Sequence, residues 1–233
     1  MSARPESIAP GVYRMDAFAL PNTISVLLLE NDDGWTLVDT GVAGSVERIK
    51  AAITALGSGQ EDLKRIFLTH HHVDHIGGLP GLLEWAPQVE IGATAYEAEI
   101  VSGRRPPDSA SNPLLRPATS RAKLPTASVT KILHEGDLVS GFRVISTPGH
   151  TLGHVSLLRE GDGVLFTGDA FGALVRKVNV GGVKAVCADP KEARRSAEKL
   201  LAEDFATVVM THGPMLHSGA KRTLREAVSR CRY

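Results

Sequence analysis

Four of the nine histidines in this 233-residue chain fall within six consecutive positions, and this cluster constrains the chain most. Its members are His70, His71, His72 and His75, with Asp74 among them. Residues two apart in an extended backbone project to the same side, so His70 and His72 can reach one metal ion. Imidazole and carboxylate groups are common zinc ligands. A turn within the cluster can carry Asp74 and His75 to a second position nearby.

Short apolar segments recur along the chain and alternate with helical patterns. Strands are predicted over residues 11–15, 23–30, 35–39, 65–69, 89–91, 129–133, 142–146, 155–159, 164–167 and 207–210. Helices are predicted over residues 79–85, 94–101 and 218–231. A further helix carries the apolar stripe Val46, Ile49, Ile53 and Leu56, and another begins at Pro190 with Asp189 as its N-cap. This order is typical of an α/β protein in which two sheets pack face to face with helices outside.

Three further candidate ligands each follow a predicted strand and lie in a glycine-containing turn. His150 stands in Pro-Gly-His, Asp169 in Thr-Gly-Asp and His212 in Thr-His-Gly. Any one of them alone is more often a turn residue. Because rigid strands can present side chains at their ends, the three together with the histidine cluster indicate a metal site.

The sequence resembles the metallo-β-lactamase-fold hydrolase superfamily. The signature of that family is an Asp after an early strand, then HxHxDH, then a separated His, Asp and His. Here these elements are Asp39, the motif over residues 70–75, His150, Asp169 and His212, and the match spans about residues 11–215.

The resemblance implies a four-layer αββα sandwich with the metals at one edge of the sheets. It assigns the ligands of one metal as His70, His72 and His150, those of the other as Asp74, His75 and His212, and Asp169 as the bridge between them. Two zinc ions are expected, with iron or manganese as alternatives. We expect one domain over residues 1–233, with a loop insertion at residues 102–125 that either orders substrate or is a mobile surface insertion.

The implied function is hydrolysis of an ester, thioester or lactone by a metal-bridging hydroxide, with Asp74 as the catalytic residue that orients it. One alternative is a mononuclear iron dioxygenase acting on persulfides, and the complete second ligand set favours two metals over it. The other is a non-catalytic binding module, which usually comes with eroded ligands. Gly172 stands where related lactonases carry a tyrosine, and this puts a lactonase assignment in doubt.

Other polar residues near the motifs receive weaker interpretations. Asp39 is either a hydrogen-bonding partner of the ligands or a plain strand-end residue. His71 is expected to point away from the metals, and His154 to form structural hydrogen bonds. His134 is expected on the surface, whereas His217 either lines the pocket or is also on the surface. Phe171 and Leu174 are candidates to shape the pocket.

Composition limits the partners. The 26 basic and 26 acidic residues give a formal net charge of zero, which disfavours a general nucleic-acid binder. No apolar run approaches the roughly 20 residues that span a bilayer. No signal peptide is visible, and the two cysteines, Cys187 and Cys231, are too few for a disulfide framework. We therefore expect a cytoplasmic protein with a small-molecule substrate and no membrane or nucleic-acid partner, while the oligomeric state stays open.

Overall fold

An antiparallel hairpin, with its turn between the paired residues Asn31 and Gly34, lies within a seven-stranded sheet. The computed structural model of the protein describes residues 4–173 and 177–231. These residues divide into two compact units. The first runs to Arg104 and adds Leu124–Leu133, and the second comprises Arg105–Lys123 and the residues from His134 onward.

Unit 1 is built on the seven-stranded sheet. Its strands, in both chain order and sheet order, are β1 (Glu6–Ala9), β2 (Val12–Asp16), β3 (Ser25–Asn31), β4 (Gly34–Val38), β5 (Leu63–Phe67), β6 (Glu90–Thr94) and β7 (Lys131–Leu133). Pairing is antiparallel from β1 to β4 and parallel from β4 to β7. Its helices are α1 (Val46–Ala55), α2 (Val73–Ile76), α3 (Leu79–Trp85) and α4 (Ala95–Val101), with 3-10 turns at Ala43–Ser45 and Gln60–Asp62.

The apolar stripe of α1 packs into the core of unit 1. Val46, Ile49 and Ile53 are buried as predicted, in one apolar cluster with Leu28 of β3. Leu56, the C-cap residue of α1, is only partly buried. Burial of a side chain such as Ile49 stabilises the fold by roughly 1.5–3 kcal/mol, so this stripe fixes the helix on the sheet.

The described residues of unit 2 form a five-stranded sheet, a two-stranded ribbon and three helices. The elements are α5 (Arg116–Thr119), β8 (Leu138–Val139), β9 (Phe142–Ser146), β10 (Val155–Arg159), β11 (Val164–Phe166), β12 (Phe171–Gly172), β13 (Asn179–Val180), α6 (Pro190–Ala202), β14 (Thr207–Val209) and α7 (Ala220–Arg230). A 3-10 turn spans Lys184–Val186. The sheet order is β14-β11-β10-β9-β8, with only β11 and β14 parallel.

Helices α6 and α7 cover the apolar cluster of unit 2. Asp189 caps α6 as predicted, since its side chain accepts the backbone N–H groups of Lys191 and Glu192. The predicted inward face of α7, with Leu224, Ala227 and Val228, is buried in the same cluster as α6.

Several elements of the structure were not predicted from the sequence: the strands β1, β8, β12 and β13 and the short helices α2 and α5. Residues 102–125 thus hold the short helix α5 instead of being a plain loop. The expectation of a single domain over residues 1–233 stays a prediction. Among the described residues, no helix has both the length and the apolar character needed to cross a bilayer.

Candidate functional site

The histidine cluster follows β5, an interior strand of the unit 1 sheet that pairs in parallel with β4 and β6. His70 and His75 are fully buried, and their ring centroids lie 3.8 Å apart. The ring of His72 lies 4.7 Å from that of His70. Potential ligand atoms lie within 4.8 Å of one another in the pairs His70 with His72, His70 with His75, and Asp74 with His75. The turn into α2 therefore gathers these four side chains in one place.

Asp39 holds this cluster from the end of the neighbouring strand β4. Its Oδ1 accepts the backbone N–H of Thr69 at 2.8 Å, and its Oδ2 accepts the Thr69 hydroxyl at 2.8 Å. The same Oδ2 lies 2.8 Å from Nδ1 of His75. Because a carboxylate only accepts, Nδ1 of His75 donates, and the lone pair of the ring is on Nε2. The prediction that Asp39 forms hydrogen bonds beside the cluster is confirmed.

Thr69 extends the same network to His70. Its hydroxyl lies 3.1 Å from Nδ1 of His70. Since the hydroxyl hydrogen is directed to Asp39, the oxygen can accept from Nδ1 of His70, which leaves Nε2 of that ring with its lone pair as well. One buried carboxylate thus orients two imidazoles, an arrangement that commonly fixes metal-binding histidines.

Replacing Asp39 with asparagine should weaken zinc binding by about 10- to 100-fold, because a neutral amide holds the two rings less firmly. Competition with a chromophoric chelator measures the affinity. Asp32→Asn, in the exposed turn before β4, is the matched control and should bind zinc like the parent. Equal affinities for the two variants would exclude an orienting role for Asp39.

His71 points into the protein and contacts a residue that the sequence analysis did not single out. Its Nδ1 lies 2.6 Å from Oε2 of Glu97 on α4, and both side chains are fully buried. Glu97 follows the N-cap Thr94 and shares the buried face of α4 with Ile100 and Val101. The sequence signal that could have found Glu97 is an acidic residue at a position of α4 that lies on its apolar face. This contact fixes the backbone between His70 and His72.

In unit 2, one carboxylate oxygen lies between two imidazoles. Oδ2 of Asp169 is 3.3 Å from Nε2 of His150 and 3.4 Å from Nε2 of His212. All three residues are buried. Nδ1 of His150 donates to the carbonyl oxygen of Gly181 at 3.0 Å, so Nε2 is the nitrogen with the lone pair facing Asp169.

The register of two parallel strands sets this contact. Phe166 of β11 is opposite Val209 of β14. Asp169 and His212 each follow these paired residues by three positions, so both emerge at the same end of the sheet. The backbone carries a positive φ of 49° at Gly168, within the turn that leads to Asp169.

The spacing of these donors suits a bound metal ion. Two ligands held about 2.1 Å from a tetrahedral zinc ion lie about 3.4 Å apart. The two contacts of Asp169, at 3.3 and 3.4 Å, match this separation and are longer than a good hydrogen bond. Nitrogen and carboxylate oxygen are also the donor types that zinc accepts. The residues present therefore fit a metal ion.

The backbone around His150 is held by the start of α6. The carbonyl oxygen of Gly149 accepts the N–H of Asp189 at 2.8 Å and the thiol of Cys187 at 3.0 Å. The carbonyl oxygen of His150 accepts the N–H of Ala188 at 2.9 Å. Gly149 has a φ of 129°, and a Cβ there would lie 2.0 Å from the backbone nitrogen of Ala193. Only glycine allows this approach.

His154 has the structural role that was predicted. Its Nε2 accepts the backbone N–H of Asp169 at 3.0 Å, so its Nδ1 carries the hydrogen and faces the Thr147 hydroxyl at 2.8 Å. The Thr147 hydroxyl lies 3.0 Å from that of Ser156. This buried chain fixes the backbone that presents the Asp169 carboxylate.

The remaining interpretations have mixed outcomes. His134 is exposed as predicted, and His217 is also exposed, with Nδ1 3.3 Å from the Thr207 hydroxyl. The suggestion that Phe171 shapes the pocket stays a prediction, and its side chain is fully buried in the apolar cluster of unit 2. Leu174 lies outside the described residues.

Gly172, at the position where related lactonases carry a tyrosine, has little room for a side chain. A Cβ there would lie 3.1 Å from the Cα of Gly182. The backbone at Gly182 therefore lies too close to Gly172 for a tyrosine side chain to fit unless Gly182 moves.

Comparison with known proteins places this arrangement in a family. The sequence model of the metallo-beta-lactamase superfamily matches residues 20–212 of this chain. The probable metallo-hydrolase YflN of Bacillus subtilis is 31% identical, over 95% of this chain and 91% of that protein. The hydroxyacylglutathione hydrolase of Klebsiella pneumoniae is 33% identical over 61% of this chain, which aligns with 45% of the length of that enzyme.

A solved structure gives the fold. The metallo-beta-lactamase SMB-1, in a complex with mercaptoacetic acid, superposes with a TM-score of 0.74 at 19% identity, over 98% of this chain and 94% of that one. At this identity the likeness shows the fold alone, and it confirms the predicted α/β class. The family model and the relative aligned along most of its length agree with it, and the chain belongs to the metallo-β-lactamase superfamily.

Proposed function

We propose that this chain is a binuclear metal-dependent hydrolase in the cytoplasm that cleaves an ester, thioester or lactone bond in a small-molecule substrate, without a nucleic-acid or membrane partner. The proposed ligands are His70, His72 and His150 for one metal, Asp74, His75 and His212 for the other, and Asp169 for both. Zinc is the proposed metal because the donors are imidazole nitrogens and carboxylate oxygens, with iron or manganese as alternatives.

The observation that carries the proposal is the position of the Asp169 carboxylate. Its Oδ2 lies at ligand-to-ligand distance from two buried imidazole nitrogens, 3.3 and 3.4 Å away. A second group of buried histidines, oriented by Asp39, supports the proposal from unit 1. Membership of the superfamily supports a metal-dependent hydrolase independently of these distances.

Two bound zinc ions would lower the pKa of a shared water toward neutrality and polarise the oxygen of the attacked group. The protein holds the ligand rings in fixed orientations through Asp39, Thr69 and the carbonyl group of Gly181. Asp74 is the proposed catalytic residue. Its side chain is only partly buried, in contrast to His70 and His75, so it can orient the attacking water where substrate enters.

A side-chain nucleophile is not required by this proposal, and the environment of the buried cysteine supports that view. Cys187 is 1% exposed, and its thiol donates to the carbonyl oxygen of Gly149. This thiol holds the backbone next to His150 and is shielded from a substrate.

Metal analysis of protein purified without added metal tests the proposal first. We expect about two zinc ions per chain, and hydrolysis of at least one compound in a panel of esters, thioesters and lactones. About one iron per chain, with oxygen uptake on persulfides, would replace the hydrolase by the dioxygenase. Protein without metal or turnover would favour a binding module.

Asp74→Ala should abolish hydrolysis and leave the fold intact, because Asp74 is only partly buried. Turnover is measured on the best substrate of the panel, and circular dichroism checks folding. Asp32→Ala, in an exposed turn, should keep parent activity. Undiminished turnover in the Asp74 variant would refute the proposed role of this residue.

A further inference from the structure

In a chain whose formal net charge is zero, residues 105–123 carry four basic residues and one acidic residue. We call residues 105–123 the cationic segment; it contains Arg105, Arg116, Arg121 and Lys123. Its one acidic residue, Asp108, is 9% exposed, so its carboxylate is withdrawn from the surface. The segment therefore presents a cationic surface to solvent.

The cationic segment is hydrogen-bonded to the loop that carries His150. Oδ2 of Asp108 accepts the backbone N–H of Leu152 at 2.7 Å. The N–H of Ser111 donates to the carbonyl oxygen of Cys187 at 2.8 Å. Cys187 itself donates its thiol to the carbonyl oxygen of Gly149. The segment is thus attached on both sides of His150, and this favours an ordered surface over a mobile insertion.

The exposed cations are close in sequence to these attachment points. Thr119, at the end of α5, accepts the N–H of the buried Ala110 through its hydroxyl at 2.8 Å. Arg116 belongs to the same helix, α5, and Arg121 follows Thr119 by two residues. In the described part of the chain, no acidic side chain forms an ion pair with Arg116, Arg121 or Lys123, whereas Arg195 on α6 pairs with Glu192.

We propose that the cationic segment binds an anionic group of the substrate, a carboxylate or a phosphate, beside His150. The inference rests on the proposed function and narrows it to anionic esters and thioesters. Guanidinium groups recognise both oxyanions with paired N–H donors. Clustered cations also raise the local concentration of anions and speed their capture, an effect that salt weakens. Attachment to the His150 loop favours a substrate over a surface partner.

Two matched double variants test this. Arg116→Glu/Arg121→Glu reverses two charges in the cationic segment, and Arg222→Glu/Arg225→Glu does the same on the exposed face of α7. The substrates are a neutral thioester and analogues that carry a carboxylate or a phosphate on the same scissile bond. The first variant should lower the ratio of kcat/KM for an anionic analogue to kcat/KM for the neutral thioester by about tenfold. Added salt should lower the same ratio in the parent protein. The second variant should leave the ratio unchanged.

The two anionic analogues distinguish carboxylate from phosphate as the preferred group. An equal ratio in both double variants, or no preference for anions in the parent, would overturn the proposal. Calorimetric binding of non-hydrolysable analogues carrying the same anionic groups keeps the test separate from turnover, so a protein that hydrolyses nothing still gives a result. Binding of duplex DNA or anionic vesicles that is lost in the first variant, without an effect on the analogues, would assign the segment to a surface partner instead.

Discussion

Replacing Asp169 with asparagine is expected to lower kcat/KM for the best substrate by at least about 10³-fold, since metal ions stabilise transition-state charge by several kcal/mol. The substitution preserves the size of a side chain that is 2% exposed. It removes the negative charge from the position between His150 and His212. A neutral amide binds a cation more weakly, so the metal content after dialysis should also fall below two ions per chain.

Asp162→Asn is the matched control for this prediction. Asp162 is an exposed residue of the same unit and pairs with Arg159, so its variant should keep parent kinetics and metal content. Steady-state kinetics and elemental analysis on both proteins provide the comparison. An Asp169 variant that retains more than about a tenth of the parent kcat/KM would exclude a central role for this carboxylate.

Gly149→Ala should destabilise the protein by about 4 kcal/mol, from backbone strain and from overpacking together. The φ of 129° at Gly149 is accessible to glycine, and an alanine Cβ would lie 2.0 Å from the nitrogen of Ala193. Relief of this clash would move the start of α6 or the turn that holds His150. Urea unfolding measures the loss of stability, and activity should fall with it.

Two other glycines separate strain from steric clash. Gly136 also has a positive φ, 86°, but nothing lies within 4 Å of an added Cβ, so Gly136→Ala should show strain alone, about 1 kcal/mol. Gly161 has open space around it as well. Its alanine variant should be neutral or slightly stabilising. If Gly149→Ala costs no more than Gly136→Ala, the contact with Ala193 is not the cause.

Elements with a clear period were predictable from the sequence, and their ends were predictable only in part. The predicted helix over residues 79–85 matches α3, and the predicted strands over residues 142–146 and 155–159 match β9 and β10. Strand β5 ends at Phe67 instead of Thr69, and the N–H of Thr69 bonds to the Asp39 carboxylate and not to a neighbouring strand. The residues of β1 are exposed or partly buried and do not alternate between buried and exposed positions. The strand is therefore defined by its pairing with β2 and not by its own sequence pattern.

The candidate ligands were predictable because they follow strands within motifs, whereas their supports were not. Glu97 is 26 residues from His71, and the carbonyl group of Gly181 is 31 residues from His150. Such partners depend on which segments the fold brings together. Gly182 is a similar case, since a Cβ there would lie 2.9 Å from Oδ2 of Asp169. Close approach of this kind has no local sequence pattern.

The paired register of β11 and β14 limits where this chain can change length. Asp169 and His212 meet because the same number of residues separates each from its paired strand residue. One inserted or deleted residue in either spacer would shift one side chain along the sheet edge and separate the carboxylate from the imidazole. Extra residues in the exposed turn at 160–162, before β11, would leave both spacers intact. Length variation among relatives should therefore avoid the two spacers and collect in such turns.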